Sequence, residues 1–344
     1  MQFVQKTMIW GAIFFFSCVP LVRAENVTET MQQAQNAAAA AEYKDALGLY
    51  NSAVRMEPGD AEIYKNRGNV YFKMGQYVDA LRDYNTAVFF NKNMADAYNN
   101  RGNVYIVFGE KEKALQEYER ALQLDKNHVK ALYNRAIVYT MLGEPARAEK
   151  AYNQVIGIAP DFADAYQNRG LLYEKQGNLE KAGSDYDRVI ALAPDRYSAY
   201  YNKGNVEVQK GNYQLAAKLY QKALSFGVRD ADLYNNYGIA QYSLGDYEAA
   251  IGLYNQAIAQ LPSYGKAYNN RGLAYMNQKL YDKALADFNQ AIILLPDSVA
   301  CLLNRAELYD KQGNTEAAKQ DYNLVLNKDP SYRKSISARY RSAG

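Results

Sequence analysis

The chain repeats itself every 34 residues, and this period constrains the fold more than any other feature of the sequence. From Val27 onward, equivalent residues recur in nine consecutive windows. Position 20 of every window is Ala, and position 24 is Tyr in every window except the eighth, which has Phe288. A fixed period of this length is typical of stacked units that bury their apolar faces against their neighbours. The windows are 27–60, 61–94, 95–128, 129–162, 163–196, 197–230, 231–264, 265–298 and 299–332.

Each window contains two apolar patterns with helical spacing. Positions 4, 8 and 11 are apolar or small, and positions 20, 24 and 27 repeat the pattern. Because a spacing of three to four residues places side chains on one face of a helix, each window predicts two helices. Gly at position 8 in six windows and Ala at position 20 remove side-chain bulk. The large ring at position 24 is therefore expected to fill the space between the two helices.

Gly and Pro mark the ends of the predicted helices. Position 15 is Gly in seven windows, which matches a helix end that needs a residue in the left-handed conformation. Lys279 takes this position in the eighth window and is expected to strain its turn. Pro at position 32 in six windows ends the second helix, because its ring lacks an N–H and collides with the preceding turn.

This pattern resembles the tetratricopeptide repeat family over residues 27–332. The resemblance is carried by a large residue, Gly, Tyr, Ala, an aromatic residue, a small residue and Pro at fixed positions. In the fifth window these are Tyr166, Gly170, Tyr173, Ala182, Tyr186, Val189 and Pro194. It implies an all-α solenoid, a right-handed superhelix of about nine helix-turn-helix units. The basic segment 333–344 is expected to form a capping helix and tail that close the stack.

Residues 1–24 have the pattern of an export signal. Lys6 precedes an apolar run from Met8 to Val22, and Val22, Arg23 and Ala24 form a small-residue cleavage site. The sequence before Cys18 also loosely resembles a lipoprotein cleavage box. Three alternatives follow: cleavage at Ala24, lipid anchoring at Cys18, and an uncleaved anchor. The protein is expected to be exported to the periplasm or cell envelope or secreted, with membrane contact only in the last two cases.

Composition argues against nucleic-acid binding and against catalysis. Two of the three net positive charges belong to Lys6 and Arg23, so the rest of the chain is close to neutral, which does not favour nucleic acid. The single His, His128, has no Cys companion, and Cys301 is the only Cys beyond the signal. We therefore expect no enzyme activity, no metal site and no cofactor.

An Asn row occupies position 6 of eight windows. In tetratricopeptide repeats this part of the first helix faces the concave groove, where an amide can donate to and accept from the backbone of an extended peptide. The same amides could instead bridge neighbouring first helices, and both interpretations stay open. The row is Asn66, Asn100, Asn134, Asn168, Asn202, Asn236, Asn270 and Asn304. Arg at position 7 of six windows is expected to form ion pairs between repeats with acids such as Asp83.

The second to fourth windows contain a partial carboxylate clamp. Some members of the family bind a chaperone's carboxyl terminus with Lys and Asn at defined positions. The matching residues here are Lys65, Asn69, Asn100 and Lys130, whereas Asn134 stands where a basic residue would be expected. Asn103, at the same repeat position as Asn69, is a further candidate. These residues could also be ordinary surface side chains, and export would separate the protein from cytosolic chaperones.

The preferred interpretation is a noncatalytic scaffold that binds an extended segment of a partner protein in the groove. A second possibility is an envelope protein that binds a small molecule or lipid through an apolar stretch of groove positions. The third is an architectural scaffold that self-associates through its ends. The apolar stretch comprises Ile239, Tyr242, Leu273 and Met276.

Overall fold

The computed structural model describes residues 18–336, and the side chains from Asn26 onward. The expected signal up to residue 17 and the tail from residue 337 lie outside the described residues. Within the described chain there are eighteen α-helices, one short 3-10 helix and no strand. The α-helices are α1 (Cys18–Ala39), α2 (Tyr43–Met56), α3 (Ala61–Lys73), α4 (Tyr77–Phe90), α5 (Ala95–Val107), α6 (Lys111–Leu124), α7 (Val129–Met141), α8 (Pro145–Ile158), α9 (Ala163–Lys175), α10 (Leu179–Leu192), α11 (Tyr197–Gln209), α12 (Tyr213–Leu224), α13 (Ala231–Ser243), α14 (Tyr247–Gln260), α15 (Gly265–Asn277), α16 (Tyr281–Leu294), α17 (Val299–Lys311) and α18 (Thr315–Lys328).

The helices follow the repeat, and the predicted all-α solenoid of helix-turn-helix units is confirmed. From α3 onward, every odd-numbered helix begins at the first residue of its window. The chain divides into two compact units, an amino-terminal unit of residues 1–165 and a carboxy-terminal unit of residues 166–344. Among the described residues, no helix has the length and apolar character needed to cross a membrane.

The turn between the two helices of a repeat needs a left-handed residue. All seven Gly residues at position 15 have φ between 71° and 83°, as the sequence predicts. Lys279 has φ 62° in the eighth repeat, and Ala41 has the same value in the first. A left-handed conformation costs a residue with a Cβ about 1–2 kcal/mol, so these two turns are strained.

In the core of six repeats, the aromatic ring at position 24 packs against the Gly at position 8. All nine aromatic side chains at position 24 are at most 2% exposed. The fit is so close that a Cβ added at Gly102 would lie 2.6 Å from Cε1 of Tyr118. In the carboxy-terminal unit, a Cβ at Gly204 would lie 2.5 Å from Cε1 of Tyr220. In the six repeats that have Gly at position 8, close packing of the ring rather than backbone conformation therefore explains the Gly, and the other three repeats have Ala there.

Buried ion pairs join the two helices of a repeat. Arg67 donates two hydrogen bonds to Asp83, at 2.7 Å each, and a third to Asn51 of the preceding repeat at 2.8 Å. Equivalent pairs join Arg101 to Glu117, Arg169 to Asp185, Arg271 to Asp287 and Arg305 to Asp321. The expectation that these ion pairs connect different repeats was wrong, because position 23 of the same repeat supplies the acid. Asn side chains make the connection between repeats instead.

The fourth repeat lacks its acid. Ala151 replaces it and is 1% exposed. The buried Nε of Arg135 then has no acceptor among the described residues, although Nη2 donates to Oε1 of Gln154 at 3.0 Å.

The last repeat is closed by the chain that follows it. A 3-10 helix covers Pro330–Tyr332, and residues 333–336 are helical. Ile336 is 6% exposed and joins the cluster of Leu302, Tyr322 and Val325. The remainder of the expected capping segment lies outside the described residues.

Candidate binding grooves

The Asn row forms hydrogen bonds between successive first helices. In the amino-terminal unit, Nδ2 of Asn100 donates to Oδ1 of Asn69 at 2.8 Å. Nδ2 of Asn134 donates to Asn103 at 2.9 Å and to Asn99 at 3.0 Å. Each bond therefore runs from position 6 of one repeat to position 5 or 9 of the repeat before it.

The same bridges recur in the carboxy-terminal unit. Nδ2 of Asn236 donates to Oδ1 of Asn205 and to the hydroxyl of Tyr201, both at 3.1 Å. Asn270 donates to Asn235 at 3.0 Å, and Asn304 donates to Asn269 at 2.8 Å. Asn168 on α9 and Asn202 on α11 are half-buried. The bridging role left open by the sequence is thus present, and binding of a peptide by these amides stays a prediction.

The core Tyr hydroxyls extend this network. Tyr84 donates to Asn69 at 2.9 Å, and Tyr118 donates to Asn103 at 2.7 Å. Burial raises the pKa of both phenols. These hydroxyls therefore remain protonated donors and orient the Asn oxygens at the wall of the groove.

The amino-terminal pocket is a cavity of about 460 Å³ between the first three repeats, with Lys130 of the fourth at its edge. Lys73 and Lys130 are both exposed, and the residues that line the cavity include no Asp or Glu. An exposed cavity with two cations and several amides suits an anionic group. The lining residues are Gln35, Ala38, Ala39, Tyr50, Asn66, Asn69, Val70, Phe72, Lys73, Tyr84, Asn100, Asn103 and Lys130.

The predicted carboxylate clamp is only partly assembled in this pocket. Asn69, Asn100 and Lys130 line it, whereas Nζ of Lys65 lies 2.5 Å from Oε2 of Glu62 and Lys65 is not a lining residue. Asn134 bridges two repeats and does not line the pocket. Sequence reasoning missed Lys73. The signal was available, since position 13 belongs to the same arc of the first helix as positions 2, 5 and 9.

The carboxy-terminal pocket is a cavity of about 300 Å³ with the opposite charge. Its only charged lining residue is Glu174, which accepts from the hydroxyl of Tyr186 and from Nε2 of Gln209, each at 3.0 Å. The sequence does not indicate this site, because Glu174 and Gln209 belong to neighbouring repeats. The lining residues are Glu174, Asn205, Val208, Gln209, Tyr220, Asn236 and Ile239.

The apolar stretch at the groove contributes to the core. Met276 is 7% exposed. Leu273 packs on the same cluster as Met276, and Ile239 and Tyr242 pack on the cluster around Tyr254. Met276 is buried and the other three side chains are half-buried, so all four support the repeats, and Ile239 also lines the carboxy-terminal pocket.

His128 caps a helix, and Cys301 lies in the core. Nδ1 of His128 accepts from the backbone N–H of Ala131 at 3.2 Å, which caps α7, and Nε2 lies 3.1 Å from Oδ1 of Asp96. Cys301 is buried, which raises the pKa of its thiol. No group of three His, Cys, Asp or Glu side chains that could hold a metal ion occurs in the part of the chain described.

Solved structures share the fold at low sequence identity. A chain of the APC/C hetero-tetramer Cut9-Hcn1 is 18% identical with a TM-score of 0.55, and the match covers 77% of this chain but only 52% of that one. A tetratricopeptide repeat protein from Parabacteroides merdae is 20% identical with a TM-score of 0.52, covering 73% of this chain and 99% of the other. PilF of Pseudomonas aeruginosa is 17% identical with a TM-score of 0.55, covering 60% and 94%.

Family models match the repeats directly, whereas no curated protein gives a significant match. One model described as tetratricopeptide repeat matches 133–197, 168–232, 201–265, 235–299 and 269–333. Others described as tetratricopeptide or TPR repeat match 49–82, 68–106 and 93–161. Repeats of this kind are typical of protein-interaction scaffolds that are generally noncatalytic. Since a single model matches more than half of the chain, the protein belongs to the tetratricopeptide repeat family.

Proposed function

We propose that the protein is an exported, noncatalytic scaffold that binds an extended segment of a partner protein along its first helices. The amino-terminal pocket is the observation that carries this proposal. Its exposed lysines, Lys73 and Lys130, accompany Asn66, Asn69 and Asn100 with no acidic residue among the lining. The group bound there is a carboxylate of the partner segment, from an acidic side chain or a chain terminus.

The bridging amides retain capacity for a ligand. Oδ1 of Asn100 accepts from Asn99 at 3.0 Å, and one of its two N–H groups donates to Asn69. A primary amide has two N–H donors, so one N–H of Asn100 remains for a backbone carbonyl of the bound segment. Bridging and peptide binding by the Asn row are therefore compatible, and the bridge fixes the orientation of the remaining donor.

The two lysines supply the charge that the partial clamp lacks. Lys65 is engaged by Glu62, so Lys73 takes its place as the second cation beside Lys130. Because both lysines are exposed, each contributes modestly, about 0.2–1 kcal/mol, and the contribution falls as salt is added.

Peptide display on the full chain tests the groove. Peptides selected for binding should lose about fivefold to tenfold in affinity for the Lys73→Ala/Lys130→Ala variant, measured by fluorescence anisotropy at low ionic strength. The matched control is Lys44→Ala/Lys92→Ala, which removes two exposed lysines outside the pocket. Circular dichroism should show the same helicity for all three proteins.

Two outcomes would overturn the proposal. One is equal affinity of the selected peptides for both double variants. The other is a selection in which no peptide responds to any groove substitution.

Export is tested separately by mass spectrometry of the protein purified from the cell envelope. Cleavage at Ala24 predicts a mature chain that begins at Glu25. A lipid-modified chain that begins at Cys18, or an intact chain that begins at Met1, would contradict cleavage at Ala24.

A further inference from the structure

The carboxy-terminal pocket uses the same repeat positions as the amino-terminal pocket. Asn205, Val208, Gln209 and Tyr220 occupy positions 9, 12, 13 and 24 of the sixth repeat, and Asn236 is position 6 of the seventh. Only the chemistry differs. Position 13 is Lys73 in the second repeat and Gln209 here, and Glu174 adds a carboxylate from position 12 of the fifth repeat.

The hydrogen-bond donors around this cavity are largely consumed within the protein. The Tyr220 hydroxyl donates to Asn205 at 2.8 Å, and the Tyr186 hydroxyl donates to Glu174. The amide nitrogen of Asn236 donates two hydrogen bonds, to Tyr201 and Asn205. What remains toward the cavity is mainly a set of acceptors.

Three acceptors keep unused capacity. The Glu174 carboxylate accepts two hydrogen bonds, but a carboxylate has about four acceptor sites. Gln209 uses its nitrogen toward Glu174, so its amide oxygen can accept from a ligand. Oδ1 of Asn236 accepts a single hydrogen bond, from Asn235 at 3.2 Å. A group with several donors and a positive charge would complement them.

The Glu174 carboxylate has no basic partner among the described residues. No Lys or Arg of the described residues forms an ion pair with Glu174, and none lines the cavity. Burial raises the pKa of the nearby Tyr201 phenol, and the negative charges of Asp232, Asp230 and Glu174 raise it further, against an opposing effect of Asn205. The acidic side chains that act on Tyr201 therefore include the lining residue Glu174.

The remaining walls suit an aliphatic stem. Val208 and Ile239 are apolar lining residues, and the cavity of about 300 Å³ lies at the small end of ligand pockets. A lysine side chain places methylene groups against apolar surface and its ammonium group on polar acceptors. Its three N–H donors equal in number the three acceptors with unused capacity.

We propose that the carboxy-terminal pocket binds the primary ammonium group of a lysine side chain carried by an extended segment of a partner protein. Glu174 provides the counter-charge, and the amide oxygens of Gln209 and Asn236 provide the neutral acceptors. The inference rests on the proposed peptide-binding function and adds the chemistry that this unit recognises. The two pockets need not bind the same segment.

Lysine acetylation provides the test, because it removes the charge and keeps the stem. Peptides selected on the full chain are synthesised with blocked ends, with either lysine or Nε-acetyllysine, so that lysine is the only ammonium source. Acetylation should weaken binding to the unmodified protein about tenfold, which is near the lower end of what a hydrogen bond to a charged group contributes. With Glu174→Gln the two peptides should bind equally. The control Glu248→Gln removes an exposed carboxylate outside the pocket and should preserve the tenfold difference.

The outcomes separate this inference from the proposed function. An acetylation effect that is absent, or unchanged in Glu174→Gln, overturns the lysine pocket. If selected peptides still depend on Lys73 and Lys130, the scaffold function stands without it. If no peptide responds to substitutions in either pocket, the peptide-binding function fails as well.

Discussion

The two pockets occupy equivalent positions of the repeat but have charged residues of opposite sign. In the amino-terminal unit the cavity holds Lys73 and Lys130 and no acid, whereas in the carboxy-terminal unit it holds Glu174 and no base. Beneath both lie the same contacts, with a ring on a Gly and a phenol hydroxyl on a position-9 Asn. The packing positions must fit two neighbours at once and therefore recur. Position 13 of the groove, Lys73 in one unit and Gln209 in the other, is exposed and lies outside this packing, so its side chain can differ between the units.

The largest effect is expected from alkaline pH, which should act on both units because both depend on buried phenols. Burial raises the pKa of Tyr50 to about 12, and it also raises the pKa of Tyr118 and Tyr254 above the usual 10.0. A phenol with a raised pKa stabilises the fold fully below pH 10. As pH rises from 10 toward the folded-state pKa, this stability is lost. Each buried tyrosine lowers the free energy of unfolding by about 1.4 kcal/mol for each pH unit.

Hydrogen-exchange mass spectrometry across this pH range, with phenolate absorbance in parallel, would measure the loss in each unit. Loss of protection in one unit at a clearly lower pH would break the comparison. Phenolate formation near pH 10 with helicity retained would contradict the burial argument.

Removing the acid of a buried ion pair should have the next largest effect. Asp83→Asn in the amino-terminal unit and Asp287→Asn in the carboxy-terminal unit each leave a largely buried Arg without its counter-charge. We expect each variant to lose about 2–3 kcal/mol in free energy of unfolding. Urea titration would measure this loss. The control Asp79→Asn removes an exposed partner of Arg82 and should change stability by less than about 1 kcal/mol. Clearly unequal losses in the two units would show that their packing differs.

Adding a methyl group at position 8 would test the ring-on-Gly contact. Gly102→Ala and Gly204→Ala each place a Cβ within 2.6 Å of a Tyr ring atom, so overpacking should cost about 1–3 kcal/mol, partly offset by helix propensity. The controls Gly157→Ala and Gly252→Ala lie in helices with no neighbouring atom within 4 Å and should gain up to about 1 kcal/mol. Thermal denaturation compares the pairs. Stabilisation by all four substitutions would contradict the close contact.

The smallest effect concerns the fourth repeat, where Arg135 has no acid at position 23 of its own repeat. Ala151→Asp would give the buried Nε of Arg135 the acceptor that Arg67 finds in Asp83. The expected gain is about 1 kcal/mol, measured by chemical denaturation, because a new charge-assisted bond offsets the burial of a carboxylate. A gain that disappears in Arg135→Gln would identify the pair as its source. A loss of stability would mean that the packing around Ala151 leaves no room for a carboxylate.

Local constraints explain which features were predictable. The left-handed Gly residues and the ring at position 24 are set by turn geometry and by packing within one repeat, so their spacing predicts them. The ion pairs illustrate the limit. The sequence identified Arg67 and Asp83 but assigned the contact to different repeats, because charge pairing alone does not specify which helix supplies the acid.

The residues that line the pockets were predictable only where one helix decides their position. Asn100 and Lys73 line the amino-terminal pocket, whereas Lys65 pairs with Glu62 on its own helix. Glu174 was not predicted as a pocket residue. Its place in the pocket depends on Gln209 of the next repeat and on a cavity between helices.

By itself, the 34-residue period determined the helices, their turns, the packed ring in each repeat and membership of a solenoid family. These features follow from interactions that repeat along the chain. The tertiary structure decided which amides bridge the repeats, which lysines face the groove, and that one pocket is cationic and the other anionic. Those properties depend on how close the side chains of neighbouring repeats come to one another. The residues of a single repeat do not determine these distances.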